Sequence, residues 1–179
     1  MLNKKIQEAL NAQINAEQYS SYLYLSMAAW ADKMSLGGMG KWFRVQAAEE
    51  LVHATKFFDY VLDRRGEVVL QAIAAPPSEW KSAEDVFQAT MTHEQYITSL
   101  IHKLADLADS EKDRATLNLL EWFIAEQVEE EAGVDQILSQ IQLTGNAPAG
   151  LFMIDRELGT RTFTPVPGVN FPPTAAGGA

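Results

Sequence analysis

The sequence predicts an all-α protein: an antiparallel four-helix bundle with a long crossover between helices 2 and 3 and a short fifth helix. Three observations predict it. Apolar residues recur every three or four positions along four segments of similar length. Each segment is about 25–31 residues, or about 37–46 Å at about 1.5 Å per residue. The connections run short, long, short, and the long one allows helices two and three to lie parallel. No heptad with paired charges at its flanks is sustained, which argues against a simple coiled coil.

The first helix runs from residue 2 to about 33 and carries Ile6, Leu10, Ile14, Ser21, Tyr24, Ala28 and Ala31 at helical spacing. Ser35 to Gly40 reads as a flexible turn. A second stripe, Phe43, Ala47, Ala54, Phe57 and Val61, spans Lys41 to Arg65, and Gly66 is the expected stop. Residues 67–81 break the period: Glu67 to Leu70 is strand-like in composition, but Pro76-Pro77 ends any strand, leaving a crossover. Ser82 is placed to cap the third helix, with Asp85 at the capping-box position, and the helix continues to about Ala108 through Phe87, Met91, Ile101 and Leu104. A polar turn over 109–113 leads into the fourth helix, about Arg114 to Gln142, with Leu120, Phe123, Val134, Leu138 and Ile141. Asn146 and Pro148 predict the cap and first turn of a short helix ending near Gly159. Residues 1–160 therefore read as one domain. Residues 161–179, rich in Pro and Gly, read as an extended or disordered tail.

Composition narrows the function. Fourteen basic against 24 acidic residues give a net charge of −10, the wrong sign for a nucleic-acid surface. With no cysteine, disulfides, thiol nucleophiles, Cys-ligated zinc and iron–sulfur clusters are excluded together. No apolar run is long enough for a membrane span, and the N-terminus lacks a signal peptide's apolar block, so a cytoplasmic protein is expected.

Each stripe is interrupted near mid-helix by a residue able to bind metal. The interruptions are Glu17 on the first helix, Glu50 with His53 on the second, Glu94 on the third, and Gln127 with Glu130 on the fourth. An unpaired carboxylate in a bundle core costs several kcal/mol, and converging carboxylates also repel, so cations are the natural remedy. The offsets favour convergence: Glu17 to Glu50 and Glu94 to Gln127 are both 33 residues, which sets each pair at one depth in an antiparallel hairpin. Taken singly, each Glu would read as solvated; the repeated offset on four helices reads as a dinuclear centre. Oxygen-rich ligands with one imidazole suit iron or manganese better than zinc or copper. Tyr24 is either a core residue or a neighbour of that centre. Glu49, Glu126 and Glu129 repeat the pattern one position earlier and read as an outer metal site, the plainer alternative being an acidic helix face. His93 and His102 read as incidental and Trp122 as packing. Asp109, Glu111 and Asp113 are left unassigned.

These motifs (Glu17, Tyr24, Glu49-Glu50-x-x-His53, Glu94 and Glu126-Gln127-x-Glu129-Glu130) resemble those of the ferritins, and specifically the bacterial non-haem type, over residues 1 to about 160. The resemblance implies the ferritin-like fold and a ferroxidase feeding an iron-storage shell of 24 subunits. Glu17, Glu50 and His53 would hold one iron, and Glu50 would bridge to a second held by Glu94 and Glu130. Gln127 would hydrogen-bond near that second iron. Glu49, Glu126, Glu129 and Glu130 resemble a third iron site, and Tyr24 a hydrogen-bonding or one-electron donor. Two adjacent Fe(II) ions would reduce O2 or peroxide. No haem is expected: bacterioferritin has a haem-ligating Met where this chain has Val52, and a second Glu-x-x-His where it has Gln127-x-x-Glu130. Mini-ferritins lack a fifth helix and place their ligands between subunits. The rival class is a peroxide-reducing, rubrerythrin-like di-iron enzyme, whose rubredoxin module a chain without Cys cannot supply.

Overall fold

A computed structural model of the chain describes residues 2–145, 147–166 and 169. Among them lie five helices and no strand: α1 (Lys4–Lys33), α2 (Gly37–Asp63), α3 (Ala83–Ser110), α4 (Arg114–Leu143) and α5 (Pro148–Leu158). α1 packs on α2 and α3, α3 on α4, and α5 rests against α2 and α4. The four-helix bundle with a short fifth helix is the predicted fold.

Caps fix the helix ends. The Asn3 side chain accepts from Lys5 N at 2.8 Å, Ser82 from Asp85 N at 3.1 Å and Asp113 from Thr116 N at 3.1 Å. Asp85 accepts from Lys81 N at 2.8 Å, one residue before the capping-box partner. The N-cap residue of α5 is Ala147, without a side-chain cap; the predicted cap, Asn146, lies outside the described residues, as does most of the tail.

Two predicted boundaries shift. α2 begins at Gly37, so the turn expected over 35–40 shrinks to Met34-Ser35-Leu36. The glycines there serve packing instead: a Cβ on Gly38 would fall 1.6 Å from the Asp155 carbonyl oxygen, because α5 lies directly on that turn of α2. At the other end of α2 the left-handed residue is Arg65 (φ 58°), while Gly66 N donates to the Val61 carbonyl at 2.8 Å. Ser35 (φ 61°) closes α1 and Lys112 (φ 58°) closes α3 in the same way.

The crossover follows α1 along most of its length. Asn11 donates to the Glu67 carbonyl at 2.9 Å and accepts from Val69 N at 2.7 Å. Further along, Ser26 donates to the Pro77 carbonyl at 2.6 Å and Trp30 Nε1 to the Trp80 carbonyl at 2.9 Å. Side chains of α1 thus satisfy a backbone that has no ladder of its own. The chain is returned to the end of the bundle where α2 began, which makes α2 and α3 parallel.

The core is in two parts. One, around Met27, Trp42, Phe43, Phe87 and Ile141, fills the end nearest α5. The other, around Ile6, Leu10, Phe57, Ile101, Leu120 and Phe123, fills the opposite end. Burial of each large side chain contributes about 1.5–3 kcal/mol.

A non-glycine residue in the left-handed region carries a penalty of about 1–2 kcal/mol, partly offset by the extra freedom of glycine in the unfolded chain. Lys112 is exposed. Lys112→Gly is therefore expected to raise the unfolding free energy by roughly 0.5–1 kcal/mol in chemical denaturation. A less stable variant would contradict the αL account of this turn.

Candidate metal centre

Between the two apolar clusters lies a polar layer. α1 supplies Glu17 and Tyr24, α2 Glu50 and His53, α3 Glu94, and α4 Gln127 and Glu130; all seven are buried. The 33-residue offsets set Glu17 near Glu50 and Gln127 against Glu94.

The layer has two halves. In the first, Glu17, Glu50 and His53 each offer a ligand atom within 4.8 Å of the others, the one such His/carboxylate group among the described residues. His53 Nδ1 lies 3.4 Å from Glu50 Oε2, and the ring is held edge-on by Trp122 and Phe123, with centroids 5.5 and 5.8 Å away. Gln13, one turn before Glu17, donates to its Oε1 at 2.8 Å. Glu17 Oε2 is buried with no hydrogen-bond partner among the described residues.

The second half is held by hydrogen-bond donors. The Tyr24 hydroxyl donates to Glu94, and its ring stacks on Phe43 at 6.2 Å. Gln127 Nε2 donates to Glu94 Oε2 at 3.2 Å, and Gln46 Nε2 to Glu130 Oε2 at 2.8 Å. Sequence reasoning missed Gln13 and Gln46. Their available signal was a buried amide one turn before Glu17 and Glu50 respectively.

The electrostatics follow from burial. Glu17 is pushed up to about 8, first by desolvation and then by the charge of Glu50. Glu94 rises to about 7, chiefly through desolvation and then Glu130, against the hydrogen bonds from Tyr24 and Gln127. Glu50 lies well above its ordinary range through burial, with Glu94 and Glu130 adding to the effect. The same causes, burial and facing carboxylates, hold the Tyr24 phenol well above its usual value. A cation would reverse this preference for protons. Two carboxylates, one imidazole and an unpartnered buried oxygen fit a hard or borderline cation such as iron.

The outer cavity adjoins the layer through Glu130. Glu49, Glu126, Glu129 and Glu130 line a cavity of about 420 Å³ between α2 and α4. There Glu49 Oε2 accepts from Arg161 at 2.5 Å. Burial raises Glu49 to about 7 although Arg161 opposes it, and burial also raises Glu126. His93, read as incidental, is buried and bonded to Ser20 Oγ at 2.8 Å; desolvation lowers it to about 4. Glu111 and Asp113 are tied to Lys5 and Arg64 at 2.7 and 3.0 Å, which gives both a structural role.

A four-helix bundle with a mid-height layer of carboxylates and one imidazole defines the class of bundle proteins that bind metal through carboxylates. The family is specific: the ferritin-like domain matches residues 7–144, and the chain belongs to the ferritin family, the iron-storage class its sequence resembles. It is 42% identical over 159 residues to a probable bacterial non-heme ferritin-like protein of Haemophilus influenzae, covering 89% of this chain and 96% of that one. It is 37% identical over 163 residues to a bacterial non-heme ferritin of Staphylococcus aureus, covering 91% and 98%. Among solved structures, an open pore ferritin from the archaeon Archaeoglobus fulgidus superposes with a TM-score of 0.90 at 48% identity, covering 90% of this chain and all of that one. No helix among the described residues is long and apolar enough to cross a membrane.

Groups whose folded pKa is raised stabilise the fold while protonated. Their contribution is complete below 4.5, the ordinary value, and is lost as pH rises through about 7 to 8. Metal-free protein is therefore expected to melt at a higher temperature at pH 5 than at pH 8.5. Glu17→Gln is expected to flatten that dependence, and Zn²⁺ to reverse it. Thermal scans across pH check this; a metal-free protein that gains stability from pH 5 to 8.5 would contradict it.

Proposed function

We propose that this protein stores iron as a ferroxidase. Ferrous iron is its substrate, oxidised within each subunit and passed as Fe(III) to a mineral inside a closed homo-oligomeric shell. The observation carrying this reading is the buried Glu17–Glu50–His53 group, with an unpartnered carboxylate oxygen, set against a second pair of carboxylates inside the same bundle. Glu17, Glu50 and His53 take one ferrous ion; Glu50, Glu94 and Glu130 take the second, with Gln127 hydrogen-bonding beside it.

The residues prepare the substrate for electron loss. Burial excludes water, and carboxylates favour the harder ferric ion, which eases oxidation. Two adjacent ferrous ions each release one electron, and together they reduce one O2 or one peroxide by two electrons. Gln13 and Gln46 fix the carboxylates from outside the ligand sets, at 2.8 Å each. Tyr24 holds Glu94 through its hydroxyl, the hydrogen-bonding role of the two its position allows. Glu49, Glu126, Glu129 and Glu130 form an outer iron site at the edge of the inner one.

The shell is proposed to contain 24 copies and to lie in the cytoplasm. The likeness to a bacterial non-heme ferritin and to an open pore ferritin supports a multimeric cage. A net charge of −10 suits an iron-attracting interior. Residues 1–160 constitute the ferritin-like domain and 161–179 a C-terminal tail.

Metal-free protein mixed with excess Fe(II) in air is expected to elute from a sizing column as one large species carrying hundreds of irons. Two or three irons per subunit, or a small oligomer, would contradict storage and favour a redox enzyme. In stopped-flow oxidation, Glu50→Ala is expected to abolish the fast phase while helicity is kept. Unchanged kinetics would overturn the site assignment.

A further inference from the structure

The outer carboxylate cavity already contains a cation of the protein's own. Among the described residues lining it are five glutamates (Glu49, Glu126, Glu129, Glu130 and Glu157) and a single basic side chain, Arg161. The Arg161 guanidinium meets Glu49 Oε2 at 2.5 Å and lies over the Trp42 ring, 4.8 Å from its centroid. Ring and carboxylate together give the guanidinium a defined seat.

The seat is built by the fold. α5 lies on α2 at Gly38, where no side chain would fit. Met39 N donates to Asp155 Oδ1 at 2.8 Å, and Lys41 Nζ donates to the Gly159 carbonyl at 2.8 Å. Arg161 follows two residues later, on a short leash anchored to the first turn of α2. A cation held on such a tether competes at high effective concentration with ions from solution.

Resting on the outer-site reading above, we propose that Arg161 is a tethered counter-cation that offsets part of the outer carboxylates' charge in the metal-free state and is displaced from Glu49 when a third metal ion binds. With Arg161 on Oε2, a metal ion at Glu49 meets a positive charge beside it and finds one of the two carboxylate oxygens already engaged. Arg161 therefore lowers the affinity of the outer site most, since Glu17, Glu50 and His53 are sealed in the bundle and the outer cavity meets the inner layer only through Glu130. When displaced, the guanidinium keeps Trp42 and gains Glu157, on the last turn of α5 and in the same cavity. The outer site then fills after the inner pair.

Zn²⁺, which undergoes no oxidation, separates the sites in calorimetric titrations of the whole assembly. Arg161→Gln is expected to tighten the weakest of three zinc sites roughly two- to fivefold, the range of a partly exposed ion pair. The two tighter sites should change less than the third, and Arg161→Lys, which keeps the charge, should resemble the parent. An unchanged or weakened third site in Arg161→Gln would overturn the role of Arg161 alone. No third zinc in any of the proteins would overturn the outer site as well, leaving the inner centre standing. Crystals of the parent soaked in Zn²⁺ give an independent answer. Zinc on Glu49 with the guanidinium moved away is expected, and zinc on Glu49 with Arg161 still bonded to it would contradict displacement.

Discussion

Four helices must carry charge-capable side chains through the middle of an apolar core, and most of the structure answers to that constraint. Glu17, Glu50, Glu94 and Glu130 are all buried, where an uncompensated carboxylate costs several kcal/mol. The surrounding chain supplies partial compensation. Gln13, Gln46, Gln127 and Tyr24 each donate a hydrogen bond to one of them, and Trp122 and Phe123 fix the one imidazole. What these donors leave over appears as raised carboxylate pKa values, a preference for protons that a cation reverses. Apolar clusters above and below the layer offset its cost and hold its register.

The helices are long for the same reason. A short bundle could not place a sizeable apolar cluster on both sides of a polar layer. The crossover is the second consequence. It returns the chain to the starting end of α2, so that both hairpins present their ligands at matching depth. Because it lies along α1, its backbone groups find partners in Asn11, Ser26 and Trp30 and need no strand pairing. α5 extends the logic outward, pressed on Gly38 and ending where Arg161 can reach Glu49.

Much of this was legible in the sequence because it is written in periodicity. Apolar spacing gave four helices, and the repeated offset of 33 residues set Glu17 with Glu50 and Glu94 with Gln127. The seven inner positions named from sequence are buried together in one layer. What escaped was local or long-range detail that carries no periodic signal. Gly37 to Gly40 look like a turn by composition, but they open α2, and the missing side chain of Gly38 lets α5 approach. Arg65, not Gly66, takes the left-handed position, because the hydrogen bonds closing the helix dictate which residue turns. Gln46 looks like any polar residue until its partner Glu130, 84 positions away, is folded against it. His93 was passed over because nothing in its neighbourhood in sequence announces Ser20. Arg161, at the start of a tail read as featureless, is brought to Glu49 only through α5.

The central claim is that the buried layer is a two-metal site made by one chain. Crystals of the metal-free assembly soaked anaerobically in Fe(II), with anomalous scattering recorded at the iron edge, test it most directly. Two iron peaks are expected inside each bundle, one among Glu17, Glu50 and His53 and the other against Glu94 and Glu130. Iron confined to the outer cavity, or an inner layer that stays free of metal at saturating Fe(II), would contradict it.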